Sequence, residues 1–110
     1  MSAITVSLQL GGKSRSIKWD NAALFRADEI GLPARLARGE FGYSTLCKMI
    51  WAMLSDEDRK LFISPEAVAL ALDRHAAADA WGIVMEAYKA ANAVEETPGK
   101  NEQGGKRRSR

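Results

Sequence analysis

The stretch YSTLCKMIWAML, residues 43–54, constrains this chain more than any other. Leu46, Met49, Ile50 and Met53 recur at the i, i+3, i+4, i+7 spacing of one helix face. Cys47, Ile50, Trp51 and Leu54 repeat that spacing around a second face, and Lys48 is the only charge. A helix that is apolar on most sides must be covered by protein on most sides. The rest of a 110-residue chain therefore has to wrap around this element. A domain of that size buries about 65% of its unfolded surface, which is enough to do so without staples.

The wrapping elements are legible on both sides. In ITVSLQL, Ile4, Val6, Leu8 and Leu10 alternate with Thr5, Ser7 and Gln9, the period of a half-buried strand. RSIKW continues it with Ile17 and Trp19 two apart. A two-residue turn at Gly12-Lys13 makes Leu8 face Ile17 and Val6 face Trp19, so the apolar residues share one face. Gly in the first position of such a loop suits a type II′ turn.

Gly12-Lys13-Ser14 also matches the end of the phosphate-loop pattern G-x-x-x-x-G-K-[ST]. A true phosphate loop needs a glycine five residues earlier, where Ser7 stands, and a helix directly after the Lys-Ser pair. The alternating RSIKW predicts a second strand there, so the glycines read as a turn and no nucleotide site is expected.

DNAALFRADEIG has an N-cap candidate in Asp20 and a stop in Gly31, which predicts a short helix. LPARLARGEFG holds Pro33 and two glycines and reads as a loop with room for one helical turn. SDEDRKLFI is polar and then apolar, a connecting turn or short helix. SPEAVALALD places Ser64 as N-cap, Pro65 at the first helical position and Glu66 in the positive first turn. HAAADAWGIVMEAYKAANA carries Trp81, Val84, Met85 and Tyr88 at helical spacing. The expected fold is α+β: an N-terminal β-hairpin packed on a small bundle of four or five helices.

From Glu95 the apolar period stops. EETPGKNEQGGKRRSR contains no aliphatic or aromatic residue, so residues 1–94 read as one domain and 95–110 as a disordered basic tail. From Pro98 onward five bases stand against one acid, a net +4, while residues 1–97 carry eleven bases and thirteen acids, a net −2. The basic character therefore belongs to the tail. The tail has no aromatic residue to stack on bases, so nucleic-acid contact is expected to be weak and salt-sensitive at most.

Catalytic constellations are scarce. His75 is the only histidine, with no Ser or Cys placed as its nucleophile, and reads as structural or solvent-exposed. Cys47, the only cysteine, cannot form an internal disulfide, fits a reducing cytosol and reads as a small hydrophobe. One His and one Cys cannot build a usual zinc site, and Asp56, Glu57 and Asp58 lack the spacing of a calcium loop. No cofactor, metal or enzymatic activity is expected. MSAITVSLQL lacks a basic start, which predicts no secretory leader, and no apolar run reaches the roughly 18 residues that span a bilayer. The three tryptophans, Trp19, Trp51 and Trp81, sit on apolar faces and read as core, with room for one to line a partner groove.

Taken in order, these parts resemble a known family. ITVSLQLGGKSRSIKWDNAALFRADEIG is similar to the start of the tail assembly chaperones of long-tailed bacteriophages and of the related gene transfer agents. Those open with a hairpin around a Gly-Gly-Lys-like turn, followed by a helix with an Asn-Ala-Leu-like stretch that ends in an acid and Gly; here Asn21-Ala22-Ala23-Leu24 and Glu29-Ile30-Gly31. LCKMIWAML resembles their central helix, ISPEAVALALD their Thr/Ser-Pro-Glu-Glu-Val segment before a short helix, and HAAADAWGIVMEAYKAA their final helix.

The resemblance covers residues 4–93 and implies a non-enzymatic protein of the bacterial host cytoplasm. It would bind the tape measure protein, the tail tube protein or both during tail assembly, and a homo-oligomer is compatible with it. Met49, Trp51, Met53, Trp81 and Met85 are the expected partner-binding residues, because methionines let a groove adapt to varied helices. The same methionines also read as ordinary core, and that is the stronger of the two readings. The rival function is a small nucleic-acid-associated regulator that uses the basic tail.

Overall fold

A computed structural model describes residues 4–96. Two antiparallel strands, β1 (Thr5–Leu10) and β2 (Lys13–Lys18), precede six α-helices. These are α1 (Asn21–Glu29), α2 (Leu32–Ala37), α3 (Tyr43–Met53), α4 (Asp56–Leu61), α5 (Pro65–Ala71) and α6 (Ala77–Glu96), with a 3₁₀ turn at Arg74–Ala76. The fold is α+β, as the periodicity predicts. Residues 97–110 of the expected basic tail lie outside the described residues.

The hairpin differs from expectation in register. The turn is Gly11-Gly12, not Gly12-Lys13, so Leu8 pairs with Arg15 and Val6 with Ile17. Both glycines have positive φ, 66° and 78°, which is what a type I′ turn requires at its two central positions. A Lys in the second place would have to adopt a left-handed backbone. The slip is two residues, so every side chain keeps its face: Leu8, Leu10, Ile17 and Trp19 are buried. Gly12 has open space where a Cβ would stand, so backbone strain is the only penalty at this site. Gly12→Ala is expected to cost about 1–2 kcal/mol, the left-handed penalty for a side chain. Chemical denaturation checks it; an unchanged midpoint would remove the type I′ turn.

The helices start where their caps stand. The Asp20 side chain accepts from the Ala23 backbone N–H at 2.8 Å and opens α1. Ser55 does the same for α4, and Ser64, followed by Pro65, for α5. The bundle has one helix more than the four or five expected, because LPARLA forms α2 in place of a loop. Pro33 falls in the first turn of α2, where a missing N–H costs nothing, and Leu32 is fully buried. Gly31, at φ 77°, ends α1 and lets α2 begin at once.

α3 is the axis. Thr45, Leu46, Cys47, Met49, Ile50, Ala52 and Met53 are all buried. α1, α2, α5, α6 and β2 all pack against it. Burying each of the large aliphatic side chains contributes about 1.5–3 kcal/mol. β1 packs on α6, and Trp19, directly after β2, meets Tyr88 of α6 edge to face with ring centroids 5.0 Å apart. The hairpin turn is tied to the C-terminal end of α5: the Gly11 N–H donates to the Ala71 carbonyl at 3.3 Å. Arg15 donates from Nη1 to Asp58 Oδ1 at 2.9 Å.

Candidate functional site

The five residues expected to meet a partner divide into two groups. Met49 and Met53 are 0% and 2% exposed, so they are core and offer no surface to a partner. They sit on the α3 sides covered by neighbouring elements, and the adaptability of methionine serves packing there. Trp51, Trp81 and Met85 are half-buried. Trp51 is committed to the fold. Its Nε1–H donates to the Phe62 carbonyl at 3.1 Å, and the Arg59 guanidinium lies over its ring, 5.9 Å from the centroid. Trp81 and Met85 stand one turn apart on α6, and Phe41 packs edge to face on Trp81 with centroids 5.8 Å apart.

A cleft of about 380 Å³ opens between β2, the start of α1 and the α3–α4 junction. Lys18, Asp20, Arg26 and Asp56 supply its charges. Each is already engaged. Lys18 pairs with Asp20 at 3.8 Å, and Asp56 pairs with Arg59. Arg26 donates from Nε to the Ala52 carbonyl at 2.9 Å, and from Nη2 to that of Leu54, capping the C-terminal end of α3. Burial, with the Arg59 guanidinium nearby, pulls Arg26 below its ordinary pKa, while Asp20 and Asp56 oppose the shift. These are the bonds of a helix terminus, and they leave no convergent set of polar groups for a ligand.

Cys47 is 2% exposed, and burial pushes its thiol pKa up, so thiolate is disfavoured. His75 is exposed at the 3₁₀ turn, where its backbone N–H donates to Asp73. Among the described residues no group of His, Cys, Asp and Glu could hold a metal ion. Nor is any helix among them long and apolar enough to cross a membrane.

What remains is apolar surface. Among the described residues, Phe25, Leu61, Ile63 and Leu70 are the most exposed large hydrophobic side chains, at 67%, 66%, 77% and 84%. Three of the four fall between residues 61 and 70: Leu61 at the end of α4, Ile63 in the connection and Leu70 on α5. None of these was among the expected partner residues. A signal for Leu70 exists in the sequence. Val68 and Leu72, four apart, mark the buried face of α5, and Leu70, midway between them, falls on the opposite side.

Comparison of the chain with protein-family models, with curated proteins and with solved structures finds no match.

Proposed function

We propose that this protein works by binding alone, as an assembly chaperone of the phage-tail kind that holds tape measure or tail tube protein before the tail is built. The observation that carries this reading is the amount of large apolar side chain left in solvent on so small a domain. Phe25, Phe41, Leu61, Ile63 and Leu70 are each more than half exposed, although the same chain fully buries Leu32, Leu46 and Ile50. A domain able to bury residues of this kind, yet leaving five outside, suits one whose partner supplies the missing cover. The order of hairpin, short helix, apolar central helix and long final helix supports the family resemblance. The internally paired charges of the cleft add nothing that would favour an enzyme.

The test is co-expression of the tagged full chain with candidate tape measure and tail tube proteins taken from the genes that flank its own. At least one of them is expected to co-elute after nuclease treatment and at high salt, and tape measure protein to stay soluble only when the chain is present. Retention of DNA that salt abolishes, with neither tail protein recovered, would replace this reading by the nucleic-acid-associated one.

A further inference from the structure

The two edges of the hairpin are finished differently. A two-residue turn makes Leu10 and Lys13 a hydrogen-bonded pair, and such pairs alternate along an antiparallel ladder. Leu8 with Arg15 and Val6 with Ile17 are therefore the next bonded pairs. The backbone N–H and C=O groups of Thr5, Ser7 and Gln9 point the other way, off the free side of β1. All three residues are exposed, and no other backbone segment among the described residues bonds to them. The outer side of β2 is occupied, since Ile17 lies in a bridge with Leu54, directly after α3. β2 also carries Lys13, Arg15 and Lys18. Charged side chains, lysine above all, keep an edge from pairing with a foreign strand.

β1 has no such protection. TVSLQL holds no charge, no proline and no glycine, and its pairing with β2 runs without a bulge from Thr5 to Leu10. Its apolar face is also unfinished at the start. Leu8 and Leu10 are buried, but Val6 is half-buried, and Ile4, directly before the strand on the same face, is 39% exposed. α6 packs on β1 and α3 on β2, so the strand is held in place before any partner arrives and little ordering cost remains.

We infer that the free edge of β1 pairs with β1 of a second copy, antiparallel across a two-fold axis at Ser7, to form a four-stranded sheet in the order β2-β1-β1-β2. In this register Ser7 stands opposite Ser7 and Thr5 opposite Gln9, so the outward groups of all three residues find partners. Val6 falls opposite Leu8, and Ile4 opposite Leu10. Polar meets polar on one face and apolar meets apolar on the other. The sequence selects this occupant. Turned about Ser7, the polar and apolar positions of residues 4–10 superimpose on themselves, as an isologous contact demands, and no charge is set against its own copy. The assembly closes at two, because both edges that remain are β2 edges already met by Leu54. This dimer goes beyond the chaperone reading and does not depend on what the protein binds.

Sedimentation velocity of the full chain from about 1 µM to about 1 mM reads the dimer, since one strand pair is an interface of the small, weak class. The wild type is expected to pass from monomer to dimer within that range. Ser7→Lys and Ser7→Glu each set like charges on the axis and should weaken self-association at least tenfold. An equimolar mixture of the two should restore it, because Lys then meets Glu. Ser7→Pro removes one outward N–H without touching a bond to β2, and should also weaken the dimer at least tenfold. Glu66→Gln, exposed on α5, raises the net charge as much as Ser7→Lys does and should leave the dimer unchanged. Ser7 is exposed, so its charged variants should keep the wild-type melting midpoint at concentrations where the wild type is monomeric.

A wild type that stays monomeric throughout, a dimer that survives Ser7→Lys and Ser7→Pro, or a Lys and Glu mixture that stays monomeric would each overturn the inference. So would a loss in Glu66→Gln as large as in Ser7→Lys, by making net charge the cause. If Ser7→Pro lowers the melting midpoint, the charged pair and its mixture decide. A monomeric wild type whose co-elution with a tail protein is lost in Ser7→Pro would give the edge to a strand of that partner instead.

Discussion

Ile50→Ala should lower the unfolding free energy by about 4 kcal/mol, toward the upper end of the 2–5 kcal/mol seen when a buried Ile or Leu is cut to Ala. Ile50 is fully buried and belongs to both apolar faces of α3. α1, α2, α5, α6 and β2 close around that helix, so a cavity at its centre has no single loose wall to collapse onto it. A domain of this size loses roughly 4–8 °C of melting midpoint per kcal/mol, so the variant should melt about 20 °C lower. That is a large part of the 5–15 kcal/mol a whole domain has. Leu70→Ala is the matched control. It removes the same kind of side chain from a position 84% exposed, and should change stability by no more than about 0.5 kcal/mol. Thermal melts of both variants decide the matter. A larger loss from Leu70→Ala than from Ile50→Ala would mean that the core lies elsewhere.

That contrast also shows where sequence is informative. α3 was legible because its period is strong and its only charge, Lys48, could not support two solvated faces. The hairpin was legible because period-2 alternation assigns every side chain to a face before any register is chosen. This is why a two-residue slip left Leu8, Leu10, Ile17 and Trp19 buried as expected. Asp20 and Ser64 announced their helices, since a side-chain acceptor at the N-cap is a local requirement. α2 was hidden for the opposite reason. Proline and glycine mark loops on average, but the burial of Leu32 is a tertiary fact that overrides the local signal. The candidate surface was the least legible part. Methionines at helical spacing look alike whether they face a partner or a core, and Met49 and Met53 face the core. Leu61, Ile63 and Leu70 stand out only when the buried side of α5 is known.

The second large effect concerns the clamp between the hairpin and α4. Arg15 stands on the buried side of the hairpin, opposite Leu8, and is itself half-buried, whereas Lys13 on the same side is exposed. Its Nε donates to the Leu10 carbonyl at 3.0 Å, its Nη1 to Asp58 at 2.9 Å, and its guanidinium lies 5.0 Å from the centre of the Phe62 ring. The two side chains of the pair are only 10% and 18% exposed, so water screens them poorly. Removing the acid leaves a guanidinium in that setting without its counter-charge, and breaking a buried pair from one side is the costly direction. Asp58→Ala should therefore cost about 3 kcal/mol, while the Ser55 cap, which binds the Asp58 backbone N–H, survives.

Arg15→Met keeps the apolar stem over Phe62 and leaves the carboxylate in the first turn of α4, where the helix dipole favours it, so about 1–2 kcal/mol is expected. The double variant should cost less than the two single losses together, by about 1–2 kcal/mol, the coupling expected of groups in direct contact. Asp56→Ala removes an acid from the same first turn, but one whose side chain is 87% exposed, and should cost no more than about 0.5 kcal/mol. Urea unfolding of the four variants measures the cycle. Strict additivity, or equal losses from Asp56→Ala and Asp58→Ala, would show that Arg15 and Asp58 are not coupled and that α4 is tied to the hairpin by apolar packing alone.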